Sequence, residues 1–547
     1  MKKARKIVLA SLPKFKCYII CSFLFAFIIQ LIALVPPLIM RNIIDTHIPA
    51  SDLSSIFIAI IFFVSLPIAA TFLSTYYNYL ITVTARNSGW KLIIQAFERI
   101  IYQPIKYFDN NNSAEIAAYC KTEAMNYVMF WLFNIPRLIA NALVGIVVYV
   151  LIFNESIFIA LGLLLYIPLS ILPSKAFGRM MEGHVKKIIE NNAKANQLMS
   201  STFKGIKFIK AMMLEKTQIE KAKALNEDTT KVWSRTSAIE HLQASWVDKF
   251  IDNIFTGIIF AVSAILIINH NATLGMLILL LNYSPLFFSS VKAVSNANFE
   301  FSKQIAQYDK FFEILIMEDE REQYSEKRKF VFNEKIKFEG VSFAYDENRN
   351  EILKNLNIEL PKNKWIGIVG PSGVGKTTIF ELILRFYDHN IGHITIDHVD
   401  IKNIGLNDLR KNITLVSQEL FLLPGTLREN LIMIKPNISE QELEKVLKDV
   451  GLTEFVDNLP NGLDTDIGED GTLVSGGEKQ RICLAIGLLR ESQILLLDEI
   501  TASLDEETET LIRNNIKKLM KSHNLTVIAI SHRTNFLDEA DHMITLF

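Results

Sequence analysis

The sequence has no excess of charge of either sign: 57 lysines and arginines stand against 58 aspartates and glutamates in 547 residues. Without a basic face the chain has no electrostatic footprint for wholesale nucleic-acid binding, and no nucleic-acid partner is expected. Cysteine is scarce. Cys17, Cys21, Cys120 and Cys483 are its four, and their spacing offers neither a zinc site nor a disulfide framework. Cys17 and Cys21, one helical turn apart in an apolar run, read as core or lipid-facing. Charge itself is thin, with 21% of residues charged against 50% apolar and a mean hydropathy of +0.25, which points to membrane spans. A chain of this length exceeds a single core and suggests two or three domains. No cleavable signal peptide is evident, because the first apolar run is too long and lacks a small-residue cleavage site. Internal repeats and low-complexity tracts are missing as well.

What is present in quantity is long uncharged sequence. Cys17 to Met40 carries no charge and can cross a bilayer, whose hydrocarbon core takes about 20 helical residues. A second run, Leu53 to Ala85, exceeds one crossing, and Tyr76, Tyr77 and Tyr79 place its far end at the interface. Two more runs form a hairpin that turns at Glu155, and Asn253 to Val291 divides at Asn269-His270-Asn271 into two crossings. The reading is an all-α transmembrane domain over 1–305 with six helices at about 17–40, 53–80, 135–154, 156–174, 250–268 and 272–291. Lys and Arg concentrate at the amino terminus (Lys2, Lys3, Arg5, Lys6), in Arg86 to Lys121 and in Lys175 to Arg235, which puts these segments and both chain ends in the cytosol. The long cytosolic loops read as helical extensions around Lys186 to Lys231; as plain linkers they would expose Phe203, Ile206, Phe208 and Ile209.

Composition changes after Glu300. A charged linker over 306–335 gives way to short apolar strands alternating with helical stretches, an α/β domain over 336–547. Here Trp365-Ile366-Gly367-Ile368-Val369 reads as a buried strand, followed by Gly370-Pro371-Ser372-Gly373-Val374-Gly375-Lys376-Thr377 and a helix from Thr378. This is a phosphate-binding loop in its strand-loop-helix setting: glycines turn backbone N–H groups inward, and the helix presents its positive end. Lys376 is placed to bridge the β- and γ-phosphates and Thr377 to coordinate Mg²⁺. Ile494-Leu495-Leu496-Leu497-Asp498-Glu499 is an apolar strand ending in two carboxylates, with Asp498 read as the metal ligand and Glu499 as the general base.

Between these motifs, Val474-Ser475-Gly476-Gly477-Glu478 resembles the signature of ATP-binding cassette proteins. The order of landmarks supports the resemblance: Tyr345 before the phosphate loop, Gln418 after it, then the signature, Ser503-Leu504-Asp505, and His532 in Ile530-Ser531-His532-Arg533. The resemblance implies that Tyr345 stacks on adenine and that Gln418 senses Mg²⁺ and the interface. It implies also that Ser475, Gly476, Gly477 and Glu478 meet the γ-phosphate of ATP held by another subunit, with Asp505 in the next loop and His532 as the switch histidine beside Glu499. Val474 and Glu478 depart from the usual leucine and glutamine at positions where little loss is expected.

Six spans ahead of one cassette resemble an exporter half-transporter. Pro104 to Asp109 and Phe203 to Lys210 are similar to its two coupling segments, and Asp464 to Gly471 to the acidic loop that receives them. The chain stops at Phe547, earlier after the switch histidine than the family usually does, which is expected to weaken the resting contact between cassettes. No peptidase-like domain precedes the first span, so leader trimming is not expected. The implied machine is a dimer, since each ATP lies between two cassettes; a homodimer is favoured because every ATP-site residue is present, with a heterodimer open. Expected cofactors are ATP and Mg²⁺, and expected surroundings are a lipid bilayer, a bacterial plasma membrane, and an exported substrate. Gln30, Tyr76, Tyr79, Asn141, Asp252, Asn282 and Tyr283 suit an amphipathic or hydrophobic substrate, or serve only to pack and bond helices together; a peptide or a hydrophobic drug is expected ahead of a lipid. Asp248 and Asp252 either attract a cationic substrate or pair with Lys249 and other loop cations. A membrane-bound ATPase that regulates or senses is the alternative from another class, and an importer is disfavoured.

Overall fold

Uncharged runs of this length satisfy their backbone groups only as helices once they lie in lipid, and helices are what they form. The computed structural model describes residues 12 and 14–547, apart from 112, 318–319, 321–327, 347–350, 418–420, 469–470, 472, 501–504, 532–533 and 539. The chain divides into two units, Met1–Arg99 with Ala114–Met317, and Ile100–Ser113 with Glu318–Phe547.

The first unit is helical. Among the described residues six helices are long and apolar enough to cross a membrane. They are α1 (Phe15–His47), α2 (Leu53–Ile101), α3 (Cys120–Glu155), α4 (Ile157–Lys204), α5 (Glu215–Ile268) and α6 (Leu274–Ile316). The order is the one read from the sequence, but each helix runs on past the uncharged stretch that marked it. At α6 this changes the domain reading, because the helix continues through Ile316, inside the segment read as a linker. Tyr308, Phe311, Phe312 and Leu315 are buried at helical spacing there, so an apolar stripe persists among the charges. Between α4 and α5 the chain turns through a short helix, Ile206–Ala211. The segment is helical as expected, yet Phe203, Ile206 and Phe208 stay exposed and Ile209 alone of the four is buried.

The core of this unit gathers Val144, Val148 and Ile152 of α3, Leu163 and Tyr166 of α4, Phe255 and Ile259 of α5, and Leu280, Tyr283 and Phe288 of α6. Small residues bring α3 and α6 together: a Cβ on Gly145 would lie 2.6 Å from the Ser290 Cβ. At one end of the bundle Asp45 of α1 accepts from Thr273 Oγ1 (2.6 Å) and from the Gly275 N–H (2.9 Å), capping α6. Arg41 pairs with Glu155 at the end of α3, so α1, α3 and α6 are tied together there.

The second unit is α/β, with two sheets. An antiparallel sheet has the order β2-β1-β4-β5 (β1 Lys335–Phe343, β2 Leu353–Pro361, β4 Ile391–Ile396, β5 Val399–Asp400). A parallel sheet has the order β6-β7-β8-β3-β9 (β3 Trp365–Val369, β6 Ile413–Val416, β7 Ile494–Asp498, β8 Thr526–Ile530, β9 His542–Thr545). Strands β7 and β8 are buried along their whole length, as expected for parallel strands covered on both faces. Because β8 lies between β7 and β3, the carboxyl ends of β3 and β7 open onto one crevice, where such sheets bind ligands.

Candidate functional site

The phosphate loop leaves β3 at Val369 and enters helix α7 (Lys376–Ile383). Gly375 caps that helix with φ +96°, a left-handed conformation, and a Cβ there would lie 2.6 Å from Leu353, so both backbone and space demand glycine. The crest of the loop, Pro371, Ser372 and Gly373, is exposed, Val374 is half-buried, and Gly375, Lys376 and Thr378 at its root are buried. Lys376 Nζ donates to the carbonyls of Gly370 and Pro371, 2.9 Å each, which centres the ammonium over the loop.

Thr377 Oγ1 donates to Asp498 Oδ2 at 2.8 Å, joining the loop to the end of β7. Asp498 is only 2% exposed, and its other oxygen has no hydrogen-bond partner among the described residues. Burial pushes its pKa up, with the neighbouring Glu499 adding to the shift. Glu499 follows at φ +53°, a conformation rare for a side chain of this kind, held by its N–H on the Ile530 carbonyl at 2.9 Å. An orphaned carboxylate oxygen beside a threonine hydroxyl is the hard-oxygen donor set that Mg²⁺ takes when nucleotide phosphates complete its shell, so the residues fit the ion.

Tyr345 follows β1. Its hydroxyl donates to Glu381 and lies 3.0 Å from Thr378 Oγ1, while its ring meets Phe343 and Tyr387 edge-on, each at 4.9 Å. Burial and the Glu381 carboxylate push the Tyr345 phenol up, so it remains a neutral donor. Glu381 and Tyr387 were not singled out in the sequence; the helical offset from Thr378 to Glu381 was the available signal.

Ser475 caps helix α8 (Gly476–Leu489) in a reciprocal box: its hydroxyl accepts from Glu478 N (3.4 Å), and the Glu478 carboxylate accepts from Ser475 N (2.7 Å). The family's usual glutamine is thus replaced by a residue that closes the same box. Ser475 and Gly476 are exposed and Gly477 half-buried at the helix end. Asp505 caps helix α9 (Glu506–His523), accepting from Thr508 N (2.8 Å) and Oγ1 (2.9 Å), bonds that hold its pKa below the usual range. Gln418, Ser503, Leu504, His532 and Arg533 lie outside the described residues.

In the helical unit, Asp252 pairs with a cation, as the second of its two expectations has it, but the cation is Lys292 of α6 (2.5 Å), and Asp252 also accepts from Tyr166 (2.9 Å). The Asp248 side chain lies outside the described residues. Tyr283 is buried and donates to the Leu34 carbonyl (2.8 Å), bonding α6 to α1, while Asn282 donates to Ile278 O (2.8 Å) within its own helix. Tyr76 and Tyr79 are exposed on α2. The segment read as the first coupling element contains a short helix, Ile105–Asn110, in which Asp109 accepts from the Tyr387 hydroxyl.

With this geometry in view, the comparisons with known proteins are consistent over both units. The ABC transporter transmembrane region model matches residues 19–291 and the ABC transporter model residues 353–502. An ATP-dependent lipid A-core flippase of Desulfotalea psychrophila is 33% identical over 389 residues, covering 71% of this chain and 67% of that protein. A putative export ATP-binding/permease protein of Rickettsia bellii is 28% identical over 93% of this chain and 88% of its own. The structure of a bacterial Atm1-family ABC exporter with ATP bound superposes with a TM-score of 0.86 at 22% identity, over 97% of this chain and 93% of that one. A six-helix membrane domain and one ATP-hydrolysing cassette in a single chain make this a multi-pass membrane protein of the ABC transporter family, an exporter-type half-transporter whose ATPase drives translocation.

Proposed function

We propose that two copies of this chain form an exporter that uses ATP to move a peptide or a hydrophobic or amphipathic small molecule outward across a bacterial plasma membrane, with cassettes and chain ends in the cytosol. The observation that carries this reading is the bond from Thr377 to the buried Asp498, which joins the phosphate loop to the acidic strand end. Lys- and Arg-rich segments beside α2 and α4 support the orientation.

The residues divide the work by their chemistry. Backbone N–H groups from Gly370 to Thr378 and the Lys376 ammonium bind the phosphates, with donors fixed before the reaction. Thr377 and Asp498, with Gln418, would hold Mg²⁺, which would supply charge neutralisation on the phosphate oxygens. Glu499 takes the proton of the attacking water, and His532 orients the pair. Ser475, Gly476 and Gly477 of the second copy close the site, because a helix N-terminus favours phosphate. Each site therefore needs both copies. Uptake of a transported compound into inverted vesicles, dependent on ATP and lost in Glu499→Gln, tests the reading; ATP turnover with no compound moved would favour a regulatory ATPase.

A further inference from the structure

The helical unit contains a cavity of about 360 Å³ between α1, α2, α3 and α6. Gln30 of α1, Asn78 of α2, and Arg137 and Asn141 of α3 all face it. Arg137 is exposed, and no described carboxylate pairs with it; its guanidinium lies 5.9 Å from the ring centre of Phe133. The side-chain amides of Gln30, Asn78 and Asn141 likewise have no hydrogen-bond partner among the described residues. Tyr77, on the same wall, is fixed: its hydroxyl bonds Ser22 Oγ at 2.9 Å, and Ser22 donates to the Leu132 carbonyl at 2.5 Å.

Four polar side chains left unpaired on apolar helices are too costly to face lipid, so they face a wet space that a ligand can enter. The chemistry of that space is one-sided. Guanidinium is a donor only, the three amides offer both donors and acceptors, and no carboxylate lines the cavity, so a cation meets no opposite charge there while an anion meets a charged fork and further donors. The planar fork of Arg137 matches the paired oxygens of a phosphate or carboxylate. Ala26, Ile29, Val144 and Leu286 supply apolar wall beside the polar patch.

We infer that this cavity binds the acidic head, phosphate or carboxylate, of an amphiphile whose tail lies against the apolar helices. The inference rests on the export reading and names the class of molecule exported. It is tested on the full chain in nanodiscs of neutral lipid, without nucleotide, by the affinity for dodecyl phosphate, dodecanoate, dodecyltrimethylammonium and inorganic phosphate. Dodecyl phosphate and dodecanoate are expected to bind, with dodecyltrimethylammonium and inorganic phosphate at least about tenfold weaker. Arg137→Gln should weaken dodecyl phosphate by about tenfold or more, and Arg137→Lys by less, since the charge remains but the fork is gone. Asn141→Leu provides a second variant should Arg137→Gln fail to insert, and should weaken binding severalfold. Equal binding of the cationic probe, equal binding of inorganic phosphate, or unchanged affinity in the variants would each overturn the site. Glu499→Gln should bind dodecyl phosphate like the wild type, so a failure of ATP-driven transport and a failure of this site register separately.

Discussion

The Tyr387 hydroxyl donates to the carboxylate of Asp109, a residue of the short helix that links α2 to α3. The Tyr387 ring in turn meets Tyr345 edge-on at 4.9 Å, and Tyr345 is bonded to Thr378 and Glu381 beside the phosphate loop. Two aromatic residues thus connect the phosphate-loop helix to the chain segment that leads into the membrane domain. Tyr387→Phe keeps the ring and removes the bond, so it should lower the amount of substrate moved per ATP hydrolysed. Because the pair is exposed, stability should change by no more than about 1 kcal/mol, read as a small shift of the thermal midpoint. Parallel assays of transport and phosphate release on one preparation measure the ratio.

Asp498 is buried with one oxygen unpartnered, and its pKa is raised above the ordinary carboxylate value of about 3.9. The sign follows: the folded state prefers the protonated form more than the unfolded chain does, so the ionised group costs stability at neutral pH and that cost disappears at low pH. Asp498→Asn should therefore raise the melting temperature of the nucleotide-free protein at pH 7 while reducing turnover by about a hundredfold or more. A lower melting temperature in this variant would mean that the carboxylate is satisfied in solution.

His389 is 7% exposed, and burial pushes its pKa down, with Lys402 adding to the effect. The unfolded chain then binds a proton at about pH 6.5 where the folded chain does not, so stability falls as pH drops below that value, until the folded pKa is passed. Melting temperatures at pH 7.5 and 5.5 should show this loss, and His389→Gln should reduce it.

Gly275 has no room for a side chain, since a Cβ would meet the Asp45 carboxylate at 2.5 Å. Gly275→Ala should displace Asp45 from the α6 cap and destabilise the helical unit by about 1–3 kcal/mol, read as a lower melting temperature in detergent. Asp45→Ala, which makes the room but loses the cap, should cost about 1 kcal/mol.

Ser475→Ala removes the hydroxyl that caps α8 and should cost about 1 kcal/mol of stability. If the hydroxyl also meets phosphate across the dimer, the loss of turnover should be far larger than this small change in stability explains, which phosphate release at saturating ATP would show.

The ATP site was the most legible part of the sequence, because its motifs are local: the loop from Gly370 to Thr377 and the strand ending at Asp498 carry their own structural setting. The six helices were legible for a similar reason, as uncharged runs announce themselves. What escaped depends on contacts distant in sequence. Lys292 could be matched with Asp252 only once α5 and α6 were seen side by side. Arg137, near the start of the third span, is a lone charge in the sequence, and only the fold brings Gln30, Asn78 and Asn141 around it. The continuation of α6 was hidden because charged residues outnumber the buried stripe of Tyr308, Phe311, Phe312 and Leu315.

The central claim, that identical copies complete one another's ATP sites, is tested most directly by complementation in nanodiscs. Lys376→Ala spoils only the phosphate loop and Ser475→Ala only the signature, so each pure variant should lose about a hundredfold or more in turnover. A mixed dimer of the two retains one site built from an intact loop and an intact signature. Co-assembly of the variants should therefore restore a substantial fraction of wild-type turnover, whereas no recovery from mixed dimers, with the wild type active alone, would contradict the account.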